Sequence, residues 1–175
     1  ADNPSPMTYR GTNTYIVGSG AVAVIDPGPD DARHMAAILA ALQPGERISH
    51  ILVTHAHLDH SPLSRALSGR TGAPVLAFGG AGAGRSATMA ALAEAGDLRG
   101  GEGVDTGFAP DTTLAEGDTV RGGDWALRAI HTPGHFANHL SFAATLPGGP
   151  VIFSGDHVMG WATSLVSPPD GDMGA

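Results

Sequence analysis

Three histidines and one aspartate follow a short apolar segment near the middle of the first half of the chain. Residues 51–53 read Ile-Leu-Val, an apolar run that predicts the end of a buried strand. The candidate ligands after it are His55, His57, Asp59 and His60. His55 and His57 are two residues apart, so an extended backbone points both imidazoles to one side. Asp59 and His60 fall where a helix should begin, and the turn carries them to a second point. The spacing therefore predicts two adjacent metal ions.

A lone histidine at the end of a strand is usually a polar surface residue. Four potential ligands in the pattern H-x-H-x-D-H reverse that expectation. The sequence has no cysteine, so nitrogen and oxygen atoms must supply every ligand. We expect two zinc ions, and the same donor set also suits iron or manganese.

Two later segments add candidate ligands at predicted strand ends. Residues 131–139 read HTPGHFANH and follow a predicted strand, and residues 154–157 read SGDH and close another. Ligand sites in α/β proteins favour the carboxyl ends of strands. His135 and Asp156 are therefore candidates for the same site as the first cluster.

The elements that must position these residues are strands interrupted by helices. A turn at residues 18–20, Gly-Ser-Gly, predicts a hairpin between the first two strands. Asp30 or Asp31 is expected to cap the first helix. Residues 112–130 have the pattern of three consecutive antiparallel strands. The predicted strands are residues 12–17, 21–26, 48–54, 75–78, 112–115, 118–121, 125–130, 140–143 and 151–154, and the predicted helices end near residues 43, 70 and 95.

Asp26 closes the second predicted strand and has two interpretations. Its carboxylate accepts local amide hydrogens if it is a turn residue. Alternatively, it orients a metal ligand through a hydrogen bond. The turn sequence Asp-Pro-Gly-Pro that begins at Asp26 favours the first.

Composition limits the classes of function. The 175 residues fit one domain, and no apolar run approaches the roughly 20 residues that cross a bilayer, so we expect no membrane partner. All 9 basic residues are arginine, and the net charge is −8, which argues against tight binding of duplex nucleic acid. No leader pattern indicates secretion, so we expect a cytoplasmic protein. The sequence does not decide whether the protein forms a homodimer.

The three motifs together resemble the metallo-β-lactamase superfamily. The resemblance rests on H-x-H-x-D-H, T-P-G-H and S-G-D, and it covers essentially the whole chain. The opening Asn-Pro-x-Pro-Met-Thr and the later Gly-Thr-Asn-Thr-Tyr-Ile-Val are similar to the β-lactamase-like protein 2 branch, which is close to glyoxalase II-type hydrolases. The resemblance implies an α/β fold of the αββα type, a sandwich of two mixed sheets with helices on the outer faces.

The resemblance also implies which residues bind metal and which act in catalysis. The first metal is expected on His55, His57 and His135, and the second on Asp59 and His60, with Asp156 bridging both. Asp59 and His139 are the candidates for direct catalytic roles. His139 is either a proton donor or substrate contact in the pocket, or a hydrogen-bonded histidine of the sheet.

The chain departs from the family pattern in one respect. Relatives supply one more histidine to the second metal from a downstream loop, and no histidine follows His157. We therefore expect residues 1–175 to be the N-terminal portion of one metallo-β-lactamase-like domain, a fragment whose C-terminal part is missing.

These expectations define a function and two alternatives. The first is a metal-dependent hydrolase in which a metal-bound hydroxide attacks an ester, thioester, lactam or phosphodiester, with a β-lactam the least favoured. The substrate is then a small molecule or single-stranded RNA. The alternatives are an iron-containing oxidoreductase of the same fold and a non-catalytic, truncated relative.

Overall fold

Parallel strands joined by helices form the first of two sheets. The computed structural model describes residues 1–96 and 103–175. The first sheet has five strands in the order β1-β2-β3-β4-β5, and the second has four in the order β6-β7-β8-β9. The strands are β1 (Tyr15–Val17), β2 (Ala21–Ile25), β3 (Arg47–Leu52), β4 (Val75–Ala77), β5 (Thr112–Thr113), β6 (Thr119–Arg121), β7 (Ala126–His131), β8 (Leu140–Leu146) and β9 (Gly149–Phe153).

Three helices follow strands of the first sheet: α1 (Ala32–Ala40), α2 (Leu63–Thr71) and α3 (Ala87–Ala95). Asp31 caps α1 as predicted, with its side chain accepting a hydrogen bond from the Arg33 amide. Gly72 ends α2 in the left-handed conformation that glycine adopts without strain. In the part of the chain that the structure describes, no helix combines the length and the apolar character needed to cross a membrane.

The order of strands brings the predicted ligand segments to one edge. β1 and β2 form the predicted antiparallel hairpin, whereas β2, β3 and β4 are parallel to one another. Parallel strands end at the same edge of a sheet, so Asp26 after β2 lies beside the segment that follows β3. The crossover helices α1 and α2 cover the outer face of this sheet.

Alternate residues of the first sheet belong to two different cores. Ile51 on β3 and Val53 just after it pack with Leu67 of α2 in the core between sheet and helices. Leu52 points the other way and packs with Phe142 of β8 in the core between the two sheets. This alternation is the period of two expected of a strand covered on both faces. The predicted α/β sandwich of two sheets is thereby confirmed.

One predicted strand lies in a different sheet from the one expected. Residues 112–113 pair in parallel with β4 in the first sheet. Of the three strands predicted in residues 112–130, the last two, β6 and β7, form the expected antiparallel pair. The Asp111 carboxylate accepts a hydrogen bond of 2.8 Å from the Val75 amide and also pairs with Arg65. These contacts attach the segment to β4 and α2, and alternation of side chains along a short strand carries no information about its partner.

Candidate metal centre

All six predicted metal ligands converge at the carboxyl edge of the first sheet. They form two groups that share Asp156: His55, His57, His135 and Asp156 in one, and Asp59, His60 and Asp156 in the other. In each group the potential ligand atoms all lie within 4.8 Å of one another. Residues from three distant segments therefore meet at one point, as the motifs predict.

The spacing inside the first group suits a small divalent cation. His57 Nδ1 lies 2.8 Å from His55 Nε2 and 3.1 Å from His135 Nε2. The Asp156 Oδ2 atom is 3.7 Å from His135 Nε2. Ligand atoms around tetrahedral zinc are separated by roughly 3.3 Å, given metal–nitrogen bonds of about 2 Å. Three nitrogens and one carboxylate oxygen at these distances fit zinc or iron.

The second group is richer in oxygen. His60 Nε2 faces Asp59 Oδ2 at 3.3 Å and Asp156 Oδ1 at 3.4 Å. This nitrogen is buried and has no hydrogen-bond partner among the described residues. A buried imidazole nitrogen between two carboxylates fits a cation at this point, because the cation would bind the nitrogen and both anions.

The protonation states of the first group favour metal binding. Burial lowers the pKa of His55 well below its usual value, and the neighbouring histidines lower it further. Burial and then His135 lower the pKa of His57 to about 4. Both imidazoles are therefore neutral at pH 7 and keep a free lone pair for a metal ion.

His60 has the opposite electrostatic environment. Burial acts to lower its pKa, but the carboxylates of Asp26, Asp156 and Asp59 outweigh burial and raise the pKa well above the usual value. Burial acts to raise the pKa of Asp59, whereas the adjacent His60 imidazole and a hydrogen bond from Thr12 bring it below its usual value. The second group thus holds a proton on His60 at the place where a metal cation would replace it.

Asp26 positions His60 rather than serving only as a turn residue. Its Oδ2 atom lies 2.9 Å from His60 Nδ1 and accepts a 2.8 Å hydrogen bond from the Thr54 hydroxyl. Its Oδ1 atom accepts a 2.7 Å hydrogen bond from the Thr54 amide. A donor bond from Nδ1 to Asp26 aims Nε2 at the second group, where a metal cation would take the place of the Nε2 proton. Of the two interpretations of Asp26, the contacts support the one in which it orients a ligand.

His135 is oriented by a similar contact. Its Nδ1 atom donates to the backbone carbonyl of Leu165, so Nε2 faces His57 and the first group. Sequence reasoning placed no role on Leu165, because a backbone acceptor leaves no signal in residue type.

Two polar residues of the site were missed from the sequence. The Thr12 hydroxyl donates a 2.7 Å hydrogen bond to Asp59 Oδ2. Buried Asn138 donates to the carbonyls of Gly79 and Gly80 and accepts from the Ala56 amide at 3.4 Å. Thr12 belongs to the Gly-Thr-Asn-Thr stretch and Asn138 to the segment after His135, so their positions in the motifs were the available signal.

His139 does not reach the open part of the site. Its side chain is fully buried, and its Nδ1 atom lies 2.8 Å from the Thr132 hydroxyl. Its ring centroid is 5.0 Å from that of His55. His139 does not line either of the two cavities that open onto the candidate metal centre. The geometry gives no support to a proton donor or substrate contact from this side chain, and it matches the alternative of a hydrogen-bonded sheet histidine.

A cavity of about 650 Å³ opens onto the first group. His57, Asp59, His135 and Asp156 form one side of it. The polar, glycine-punctuated sequence of residues 96–107 predicts a loop that borders the site. Residues 97–102 lie outside the described part, whereas Val104 lines the cavity. A smaller cavity of about 210 Å³ reaches the second group, at His60. The two candidate metal positions are thus accessible from outside.

This chain belongs to the metallo-β-lactamase superfamily, whose family model matches residues 7–175. Fold and ligand set agree with that assignment: two sheets with helices, and histidine and aspartate ligands at one sheet edge.

Curated relatives include thioesterases and a β-lactamase-like protein. An atrochrysone carboxyl ACP thioesterase of Aspergillus fumigatus is 34% identical over 170 residues, which is 94% of this chain and 45% of that protein. The β-lactamase-like protein 2 homolog of Drosophila melanogaster is 31% identical over 170 residues, 93% of this chain and 52% of that protein. The chain spans about half the length of the curated relatives it matches.

Solved structures share the fold. TTHA1623 in a di-iron-bound form is 28% identical, with a TM-score of 0.64 over 91% of this chain and 74% of that one. BJP-1, a subclass B3 metallo-β-lactamase of Bradyrhizobium japonicum, has a TM-score of 0.65 at 23% identity, over 94% of this chain and 64% of that one. At that identity the second likeness shows the fold alone.

Proposed function

We propose that this protein is a metal-dependent thioester hydrolase. One observation carries the proposal: six ligands form two groups that share Asp156, beside a cavity large enough for a small molecule. Thioesterases among the relatives support a thioester in preference to the ester, lactam and phosphodiester that the motifs also allow. We propose zinc as the metal, bound by neutral imidazoles at the first group.

A pair of divalent cations would supply an activated water molecule and a Lewis acid for the thioester carbonyl. The protein supplies the geometry. His55, His57 and His135 would hold the first cation, and Asp59 and His60 the second, with Asp156 between them. Asp26 fixes the direction of His60, and Thr12 fixes that of Asp59. The side chains that bind the cations are thus held in place by hydrogen bonds before substrate arrives.

Assays on metal-loaded, full-length protein test the proposal. Three substrates separate the reaction classes: an uncharged acyl N-acetylcysteamine thioester, nitrocefin and single-stranded RNA. We expect hydrolysis of the thioester that EDTA abolishes and added zinc restores. Failure of the zinc-loaded protein to hydrolyse any thioester would overturn the proposal, and turnover of RNA alone would replace it.

A matched pair of variants ties the activity to the centre. His57→Gln removes a ligand of the first group and should lower kcat/KM by at least about 100-fold, by the scale of removing a group that acts in the transition state. His50 lies in the middle of β3, and its ring packs edge-on against Trp125 at 5.6 Å, away from the ligands. His50→Gln should therefore keep the activity. Equal activity of both variants would exclude the candidate metal centre as the site of hydrolysis.

The likeness to a di-iron protein favours one rival function. Histidine and carboxylate ligands bind iron as well as zinc. A redox-active iron centre would give a coloured preparation, with iron as the main metal by elemental analysis. Iron, together with an absence of thioester hydrolysis, would favour the oxidoreductase. Bound metal without any turnover would favour the non-catalytic relative.

A further inference from the structure

The larger cavity has one apolar wall made of unusually exposed side chains. Met7 is 60% exposed, Leu58 49% and Leu165 52%, and all three line the cavity, together with Pro29 and Val104. Large apolar side chains that gather in a concave, solvent-facing site indicate a surface for an apolar ligand. Leu58 lies between the ligands His57 and Asp59 in the chain, so this wall adjoins the metal centre.

The remaining lining side chains are neutral or already neutralised. Asn3, Ser5, Thr8 and Ser167 offer uncharged hydrogen-bonding groups. Asp170 lines the cavity but is 5% exposed and forms an ion pair with Arg85. No arginine is among the lining residues in the described ranges, 1–96 and 103–175. Among the residues that the structure describes, a carboxylate or phosphate on the substrate therefore finds no cationic side chain in the cavity lining outside the metal centre.

We propose that this cavity binds an uncharged, apolar acyl group and that Met7, Leu58 and Leu165 select for its length. The inference rests on the proposed thioesterase activity and names its substrate class. In the reaction, a water oxygen forms a bond to the acyl carbon and the carbon–sulfur bond breaks. The thiolate leaves with the electron pair and takes up a proton, and the acyl group departs as a carboxylic acid.

A series of thioesters with one leaving group tests the selection. The probes are N-acetylcysteamine thioesters of acetyl, butanoyl, hexanoyl and octanoyl groups, with a succinyl thioester as the charged counterpart of butanoyl. We expect kcat/KM to rise about two- to fourfold per added methylene up to hexanoyl, because each buried methylene contributes favourable transfer free energy. Succinyl should be hydrolysed at least about tenfold less efficiently than butanoyl, because its carboxylate is desolvated without a partner.

Variants of the wall test the named residues. Leu58→Ser should reduce the ratio of hexanoyl to acetyl kcat/KM about fivefold or more, and Met7→Ser should act in the same direction. Met173 is 83% exposed and lines neither cavity, so Met173→Ser is the matched control and should keep the ratio. All three positions are exposed, so none of these substitutions removes a side chain from the core.

A binding measurement separates this inference from catalysis. Isothermal titration of metal-free protein with neutral N-alkyl amides of increasing chain length should show affinity that rises with length, and Leu58→Ser should weaken it. If no thioester is hydrolysed, the proposed function fails. If thioesters are hydrolysed but the chain-length profile is flat, or succinyl equals butanoyl, the acyl-site inference fails and the proposed function stands.

Discussion

The carboxylate of Asp26 and the imidazole of His60 form a buried hydrogen bond of 2.9 Å across two parallel strand ends. Asp26 follows β2 and has a backbone φ of 50°, a left-handed value that aspartate tolerates better than most residues. That conformation turns its carboxylate toward Thr54 and His60 instead of continuing the strand. The same carboxylate thereby ties the end of β3 to a candidate ligand of the second metal position.

Replacement of Asp26 should weaken the second metal position specifically. In Asp26→Asn the amide group would face His60 Nδ1 as a donor, which favours the tautomer whose Nε2 carries a proton. That proton would block the nitrogen from the metal. We expect about 10- to 100-fold lower affinity for the second cation, the usual effect of losing such a contact. Competition titration with a chromophoric chelator measures both affinities.

Asp124 provides the matched control for that substitution. Its carboxylate accepts hydrogen bonds from Ser19 at the surface, distant in the fold from the ligands. Asp124→Asn should leave both metal affinities as they are in the parent protein. Equal second-site affinities for Asp26→Asn and Asp124→Asn would show that Asp26 has only a turn role.

The hydrogen bond from Thr12 to Asp59 allows a second prediction. Thr12→Val keeps the shape of the side chain but removes the hydroxyl that donates to Asp59 Oδ2. Hydrogen bonds to charged groups contribute about 1.5–3 kcal/mol, so we expect roughly tenfold or greater loss of affinity at the second position. Thr12→Ser keeps the hydroxyl and should restore most of the affinity. If Thr12→Val and Thr12→Ser behave alike, the hydroxyl does not orient Asp59.

Acid should destabilise the metal-free protein. Burial is the main cause that lowers the pKa of His55, His57 and His139 in the folded state, to about 4 for His57. These side chains titrate near pH 6.5 in the unfolded chain, so between about pH 6.5 and 4 the unfolded state binds more protons. Stability therefore falls as the pH falls through that window.

His60 contributes to the pH dependence of stability with the opposite sign. Its raised pKa contributes stability that is fully present below about pH 6.5 and is lost as pH rises through the folded-state value. The destabilising effect of the three lowered histidine pKa values outweighs the stabilising effect of the one raised value as the pH falls. We expect the free energy of unfolding in EDTA, measured by urea titration, to fall by about 2–4 kcal/mol from pH 7 to pH 5. Constant or greater stability at pH 5 would contradict this balance.

The sequence identified the residues that the structure brings together at the candidate metal centre because their chemistry is local. H-x-H-x-D-H follows an apolar strand, and the motifs around His135 and Asp156 also end strands, so residue type and strand position together were sufficient. Strand and helix positions followed from the same periodicities, although the first helix ends at Ala40 and not near residue 43 as predicted. Ligand motifs, strands and helices all depend on residues that are close together in the sequence.

Features that depend on distant neighbours were not predictable in this way. Thr12 and Asp59 are 47 residues apart, and a threonine at the start of a strand has the same appearance in the sequence whether or not it bonds a ligand. The parallel pairing of residues 112–113 with β4 depends on Asp111, which contacts Val75 and Arg65. The role of His139 was left between two alternatives because spacing alone does not determine whether a ring lines a cavity or is buried.

Gly155 precedes Asp156, the candidate ligand that the two groups share, and its conformation sets the turn that carries it. Its φ is +50°, and a Cβ atom there would lie 2.5 Å from His139 Nε2 and 2.9 Å from the Thr54 hydroxyl oxygen. Both neighbours are fully buried, so the added methyl would displace the turn that carries Asp156. We expect Gly155→Ala to weaken binding of both cations, by roughly tenfold or more, from the 1–3 kcal/mol usual for overpacking. Gly160→Ala is the matched control, because nothing lies within 4 Å of the corresponding Cβ position. Metal content after dialysis measures the effect, and full retention of two cations by Gly155→Ala would show that the turn adapts without moving Asp156.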